Sequence, residues 1–419
     1  MKRIYLAIQH SLNPRFYYGK LWIDNFVPAL ENLGYEVVIS AVDLLPASHF
    51  MGVKKPFTSE ELAMRSKLTE QIINEVKTVH QQQGIDLFLS YFYDSHFDPS
   101  GFDEIKKLGI PIVNFYCNSI YQFELVEEIS AAVDFAWHAE KHARDSYLSV
   151  GANPIWVQMG GNPDLYAPVA VSKRTKKACF VGQRYADRAM YLAALVDNQV
   201  PVDIYGNSWG WTPPENEAAI APPKPKEPSI EPQDAIPTGS YLGREIPQLG
   251  GLKSYLNVIS ETLNERGLIK GWANVFEQFL YRQQNQQLIA KLTSSAKGFA
   301  ESIPETFSSY EVVLNFSNVW GNGRPGSGLI PHVRLRDFEA PLCRSCYLTG
   351  YTDEITEFYE IGKEIDTYSS PEELVEKTKF YLEHPDAAEK LRNAGYERAL
   401  RDHTWENRFR ELFSKIGLS

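Results

Sequence analysis

Along the first 165 positions apolar residues fall into short runs, separated by stretches in which they recur every three or four residues. Short runs bounded by polar residues predict strands buried on both faces, and the longer period predicts helices that cover them. Strands are expected at 4–8, 36–40, 87–91, 110–115, 135–138 and 155–159, and helices at 21–33, 60–82 and 99–107. Gly34, Gly84 and Gly109 follow these helices closely, as helix ends favour. The alternation predicts a parallel α/β domain whose ligands bind beyond the carboxyl ends of the strands.

A proline-containing linker at 162–177 precedes a second series of the same kind. It begins with a strand at 178–182, a helix at 189–197 and a strand at 202–206, and it resumes with a strand at 312–314. Between them lies an excursion from about 207 to 300, with eight prolines from Pro213 to Pro237 and helical patterns at 249–263 and 272–292. Proline density blocks regular structure early in it, so it reads as an insertion whose expected roles are acceptor choice or homodimer contact. A strand at 347–349 and a helix at 371–383 follow, and the periodicity predicts that the helix runs on through HPDAAEKLRNAGYERALRDH. The final segment places Trp405, Phe409, Leu412, Phe413 and Ile416 on one helical face.

Composition narrows the function classes. A chain of 419 residues exceeds what one core organises, so two domains are expected. The formal net charge of −11 argues against nucleic acid as the main ligand while leaving room for a local phosphate pocket. No apolar stretch is long enough to span a membrane, and the N-terminal apolar run reads as a strand rather than a signal peptide. Cys117, Cys179, Cys343 and Cys346 all sit in apolar contexts, which points to buried thiols and a reducing, cytoplasmic setting. Cys343 and Cys346 lack a second ligand pair for zinc.

Candidate chemistry concentrates between Tyr310 and Thr349. A strand ending at Asn315, the loop GNGRPGSG from Gly321 to Gly328, and a helical segment HVRLRDFEAPLC follow in order. Glycines let backbone N–H groups approach an anion, and Arg334 and Arg336 in the expected first helical turn add charge where the helix dipole already favours phosphate. Glu339, one turn after Arg336, can accept hydrogen bonds from a ribose diol. An ordinary solvated Arg–Glu pair at i,i+3 is the competing reading.

The order of these pieces resembles the nucleotide-sugar glycosyltransferases of GT-B architecture, and in particular the spore-maturation, CgeB-like group. The resemblance rests on FVGQRY, VDIYGNSW, YEVVLNFS, RLRDFEAPLC, EITEFYEIGKEIDTYSSPEELVEKTKFYL and HTWENRFREL, which together span most of the chain. It implies an α/β protein with two Rossmann-like domains facing a cleft: an acceptor domain at 1–165, a nucleotide-sugar domain at 170–398 carrying the insertion, and a helix at 399–419 crossing back to the first domain. It further implies Glu339 on the donor ribose, Gly182 and Arg184 near phosphate, with Arg188 as a further contact, and Tyr205 and Gly206 at the nucleotide pocket. Two departures stand out: Pro331 occupies the position of the first glutamate in an E-x7-E pattern, and Asn118 ends a strand where an acidic residue is expected. Stereochemical outcome is therefore left open.

The implied reaction moves a sugar from a nucleotide-diphosphate donor to a hydroxyl of a glycan, lipid or small molecule, with no cofactor beyond the donor itself. No D-x-D triplet follows a strand, so metal-independent transfer is expected. Base candidates are His96 with Asp94, which point the same way if the chain there is extended, and His10 after the first strand. Phe16, Tyr17, Tyr18 and Trp22 offer a stacking surface, although core packing is the simpler role. A sugar-nucleotide epimerase of the same architecture and a catalytically silent nucleotide-sugar-binding protein are the alternatives. Product analysis without acceptor separates the first, and a nucleotide titration the second.

Overall fold

The structure, a computed structural model, describes residues 2–9, 20–48, 55–206, 208–210, 286–321 and 327–418. The described residues form two compact units, one drawn from 1–162 with 402–419 and the other from 163–401.

The first unit is built on a six-stranded, wholly parallel sheet in the order β2-β1-β3-β4-β5-β6. Its strands are β1 (Arg3–Ile8), β2 (Glu36–Ile39), β3 (Leu87–Tyr91), β4 (Ile112–Tyr116), β5 (Phe135–His138) and β6 (Pro154–Trp156). Every residue of β3 and β4 is buried, which explains their largely apolar character; the polar exceptions, Ser90 and Asn114, bond to each other, Ser90 Oγ donating to Asn114 Oδ1 at 2.7 Å. Helices α1 (Leu21–Asn32), α2 (Ser59–Gln83), α3 (Gly101–Lys106) and α4 (Glu127–Ala132) accompany it. The start of α2 is fixed by a reciprocal cap: Glu61 N–H donates to Thr58 Oγ1 at 3.3 Å, and Thr58 N–H donates to Glu61 Oε2 at 2.6 Å.

The second unit has a five-stranded parallel sheet in the order β13-β12-β9-β7-β8. These strands are β7 (Thr175–Val181), β8 (Val202–Tyr205), β9 (Tyr310–Leu314), β12 (Tyr347–Gly350) and β13 (Asp366–Tyr368). A separate antiparallel pair, β10 (Asn318–Trp320) and β11 (Leu329–Pro331), follows β9. Helices α5 (Arg188–Asp197), α6 (Ile303–Ser309), α7 (Arg336–Leu342), α8 (Pro371–Glu383) and α9 (Pro385–Asp402) complete the series. The continuous helix expected past 383 is instead two helices. Pro385 has no N–H to give, and its ring disfavours a helical residue before it, so α8 ends at Glu383 with His384 as its cap and α9 begins with the proline. Of the insertion only 208–210 and 286–300 are described, with 286–292 helical; the helix expected at 249–263 lies outside the described residues.

The last helix, α10 (Trp405–Ile416), belongs to the first unit and packs on α1. Its buried Trp405 and Phe409 meet Phe26 at ring-centroid distances of 4.9 and 5.2 Å. Burying each such side chain stabilises the unit by about 1.5–3 kcal/mol. Trp22 joins this cluster, 5.2 Å from the Tyr91 ring, which places it in core packing.

Candidate functional site

The carboxyl ends of β7, β9, β12 and β13 lie on one side of the second unit's sheet, and Asp337 joins two of these strands, β9 and β12, to α7. Its Oδ1 accepts hydrogen bonds from Asn315 Nδ2 (3.2 Å), Tyr347 Oη (2.8 Å) and Thr349 Oγ1 (2.8 Å). Its Oδ2 accepts from the Arg334 N–H at 2.6 Å. Asp337 thereby ties the start of α7 to the ends of two strands. Burial pushes its carboxyl up, against the opposing pull of these donors.

Arg334 precedes α7 rather than lying within its first turn, because the helix begins at Arg336. From there its guanidinium reaches back to β10 and donates to the Asn318 carbonyl at 2.9 Å. Arg188, the first residue of α5, donates to the Gln183 carbonyl at 2.9 Å and stacks over Phe180 and Tyr185. The Nε atoms of both arginines are buried and have no hydrogen-bond partner among the described residues. Burial, and next to it the Arg334 charge, bring Arg188 down to about 9. Two like charges held this close, with donors unspent, suit an anion. A cavity of about 250 Å³, lined by Asp187, Tyr191, Phe316, Asn318, Pro331 and Tyr351 among others but by neither arginine, adjoins them through Asp187, next to Arg188, and Asn318, whose carbonyl holds Arg334. It stands at the carboxyl side of the sheet, where open α/β folds hold ligands.

The other expected binding residues are placed differently. Arg336 and Glu339 do meet, Nη1 to Oε2 at 2.9 Å, but Glu339 is only 3% exposed and neither residue lines the cavity. Glu339 is buried and Arg336 half-buried over the Phe307 ring, so the pair is not an ordinary solvated one. Glu339 Oε1 has no hydrogen-bond partner among the described residues, and leaving it so is costly without a donor. Gly182 and Gly206 serve a close backbone approach: at Gly206 φ is +130°, and a Cβ there would lie 2.3 Å from the Gly182 carbonyl oxygen. Arg184 is half-buried on the following loop. The hydroxyl of Tyr205 is shared with Tyr310 at 2.8 Å, and Tyr310 donates to Asp203, also at 2.8 Å. Tyr205 is thus committed to a Tyr–Tyr–Asp chain and does not line the cavity. Of the glycine loop, residues 322–326 lie outside the description; its ends are pinned where Gly321 N–H donates to the Gly328 carbonyl at 2.7 Å. A hairpin, β10–β11, flanks the loop, which the strand–loop–helix expectation omitted.

In the first unit the proposed base pair is not assembled. The chain at 94–96 is a turn, with His96 N–H donating to the Tyr93 carbonyl at 2.9 Å, so Asp94 and His96 do not share a face as an extended chain would require. Asp94 accepts from Lys55 Nζ at 2.7 Å and from the N–H groups of Glu128 (3.2 Å) and Ile129 (2.9 Å), and so anchors the start of α4. His96 is fully buried, and burial takes its imidazole down to about 3. A base that weak is poorly matched to proton abstraction near neutral pH. His10 lies outside the described residues. All four cysteines are free and buried. Among the described residues no three His, Cys, Asp or Glu side chains converge as metal ligands, and no helix is long and apolar enough to cross a membrane.

With this geometry in hand, comparisons place the fold. Residues 270–414 match the family described as glycosyl transferase-like. The Anabaena protein HepE, solved in complex with UDP-glucose, is similar over 100% of both chains at 11% identity and a TM-score of 0.52. A glycosyltransferase from Rickettsia africae is similar over 99% of this chain and 97% of its own at 10% identity and a TM-score of 0.53. Sucrose-phosphate synthase from Thermosynechococcus elongatus is similar over 99% and 100%, at 12% identity and a TM-score of 0.52. No curated protein sequence matches. The architecture is the GT-B fold of glycosyltransferases, two Rossmann-like α/β units with parallel sheets.

Proposed function

We propose that this protein is a glycosyltransferase that holds a nucleotide-diphosphate sugar in its second unit and passes the sugar to an acceptor hydroxyl. The observation that carries the reading is the pair Arg188 and Arg334, with unspent donors, beside a cavity at the carboxyl ends of a parallel sheet. The family match at 270–414 and the UDP-glucose complex of HepE support it. In the reaction the acceptor oxygen bonds to the anomeric carbon while the bond from that carbon to the phosphate oxygen breaks. The electron pair leaves with the diphosphate, and the acceptor proton passes to a base or to the departing phosphate. The arginines offset the charge that grows on the leaving group, the role a divalent ion would otherwise fill, so transfer is metal-independent in this account. Motif order makes the CgeB-like group the closest fit within this class.

Glu339 keeps the ribose contact in this reading, on the strength of its unpartnered Oε1. A thermal-shift screen of UDP, ADP and GDP with their sugars tests the function: at a hundred times its dissociation constant a bound nucleotide adds about 2.7 kcal/mol. No shift with any of them contradicts the reading. Glu339→Ala is expected to weaken the nucleotide that binds by roughly tenfold to a hundredfold, as loss of a charge-assisted hydrogen bond does. Wild-type affinity in calorimetric titration of that variant removes Glu339 from the site.

A further inference from the structure

Asp187 stands at the N-cap of α5, where an aspartate ordinarily accepts a hydrogen bond from a backbone N–H of the first helical turn. It makes no such bond. Its side chain is drawn to the cavity instead, where Oδ2 accepts from Asn318 Nδ2 at 2.5 Å. Oδ1 is buried and has no partner among the described residues. Three other polar groups on the cavity wall are spent within the protein. Ser317 Oγ donates to the Gly350 carbonyl at 2.5 Å, the Tyr191 hydroxyl to the Ser369 carbonyl at 3.4 Å, and the Tyr368 hydroxyl to the Asn315 carbonyl. Pro331, on the same wall, has no polar side chain to offer. Asp187 is therefore the carboxylate of this wall, and it holds an open acceptor. A buried carboxylate oxygen without a donor is costly, and a ligand hydroxyl supplies one.

Its neighbours fix which hydroxyl. Arg188 is the next residue, and Asn318, which holds Asp187, also holds Arg334 through its carbonyl. Arg334 in turn is tied by its N–H to Asp337 of α7, the helix that carries Glu339. Arg334 thus links Asp187, through Asn318, to the helix of the ribose contact, with Arg188 beside Asp187 in the chain. We infer that Asp187 reads a hydroxyl of the transferred sugar and is a specificity-determining residue of the donor site, an inference that rests on the nucleotide-sugar reading above. A diphosphate on the arginines puts ribose at one end and the sugar, with its donors, at the other.

The test is calorimetric titration of the wild type, Asp187→Asn and Asn318→Ala with three probe pairs: UDP and UDP-glucose, ADP and ADP-glucose, GDP and GDP-mannose. Asparagine keeps the shape of the side chain and weakens or reverses its acceptor role. For the pair that the wild type binds, Asp187→Asn should lose roughly tenfold to a hundredfold in affinity for the sugar nucleotide and less than about threefold for the nucleoside diphosphate. Asn318→Ala frees the carboxylate without removing it and should give a smaller loss confined to the sugar nucleotide; this variant carries the test if Asp187→Asn does not fold, as its melting curve shows. Equal losses for both members of the pair, or none, overturn the inference. A wild type that binds no probe overturns the nucleotide-sugar reading itself.

Discussion

Replacing Arg334 or Arg188 with alanine should weaken nucleoside-diphosphate binding by roughly tenfold to a hundredfold each, since each removes charge-assisted hydrogen bonds to phosphate. The double variant should lose more than either single one, and not as a simple sum, because the two charges already influence one another. Lysine at position 334 tests the shape of the contact: it keeps the charge but not the planar fork, so it should recover only part of the affinity. The fold should tolerate Arg334→Ala, because the hydrogen bond that anchors α7 comes from the Arg334 backbone N–H and not from its side chain. Titration with the best nucleotide from the screen measures all four variants, and wild-type affinity in the double variant contradicts the assignment.

The second large effect is acid sensitivity. Burial takes His96 down to about 3 and His138 to about 4, from an ordinary 6.5 in both cases. The unfolded chain therefore binds protons on these rings where the folded one does not. Their contribution to stability is complete above pH 6.5 and drains away as pH falls toward the folded values. Between pH 7 and pH 5 each histidine should remove about 2 kcal/mol, and by pH 4 about 3 kcal/mol. Buried Asp94 and Asp337 act in the opposite sense, because burial raises both carboxyls and protonation relieves their cost. Denaturant unfolding at pH 7 and pH 5, on the wild type and on His96→Asn, isolates one ring: the variant should lose less stability on acidification than the wild type by about 2 kcal/mol. An equal drop in both shows that His96 is not held neutral by the fold.

The parallel sheets were legible in the sequence because strands covered on both faces read as predominantly apolar runs, as at β3, β4 and β9. The C-terminal helix was legible for the related reason that its aromatic stripe has helical spacing. The break between α8 and α9 had a signal, Pro385, that the apolar periodicity outweighed. The β10–β11 hairpin had almost none, since three-residue strands beside a glycine-rich loop carry no pattern of their own.

At the site, local spacing revealed Arg336 with Glu339 but neither the burial of Glu339 nor the stacking of Arg336 on Phe307, a residue of α6. Asp337 was invisible as an organiser because its partners come from β9 and β12. Asp187 was not singled out by the sequence, because its partner at the cavity, Asn318, comes from the hairpin far along the chain. Asp94 and His96 misled because two residues apart means one face only in extended chain, and here the chain turns.

The central claim is that Arg188 and Arg334 receive the diphosphate of a nucleotide sugar, and a crystal structure of the protein with the nucleoside diphosphate that most raises its melting temperature tests it most directly. The account predicts phosphate oxygens within hydrogen-bond distance of both guanidinium groups, at the carboxyl ends of β7 and β9. A nucleotide bound with its phosphates away from these two arginines contradicts it.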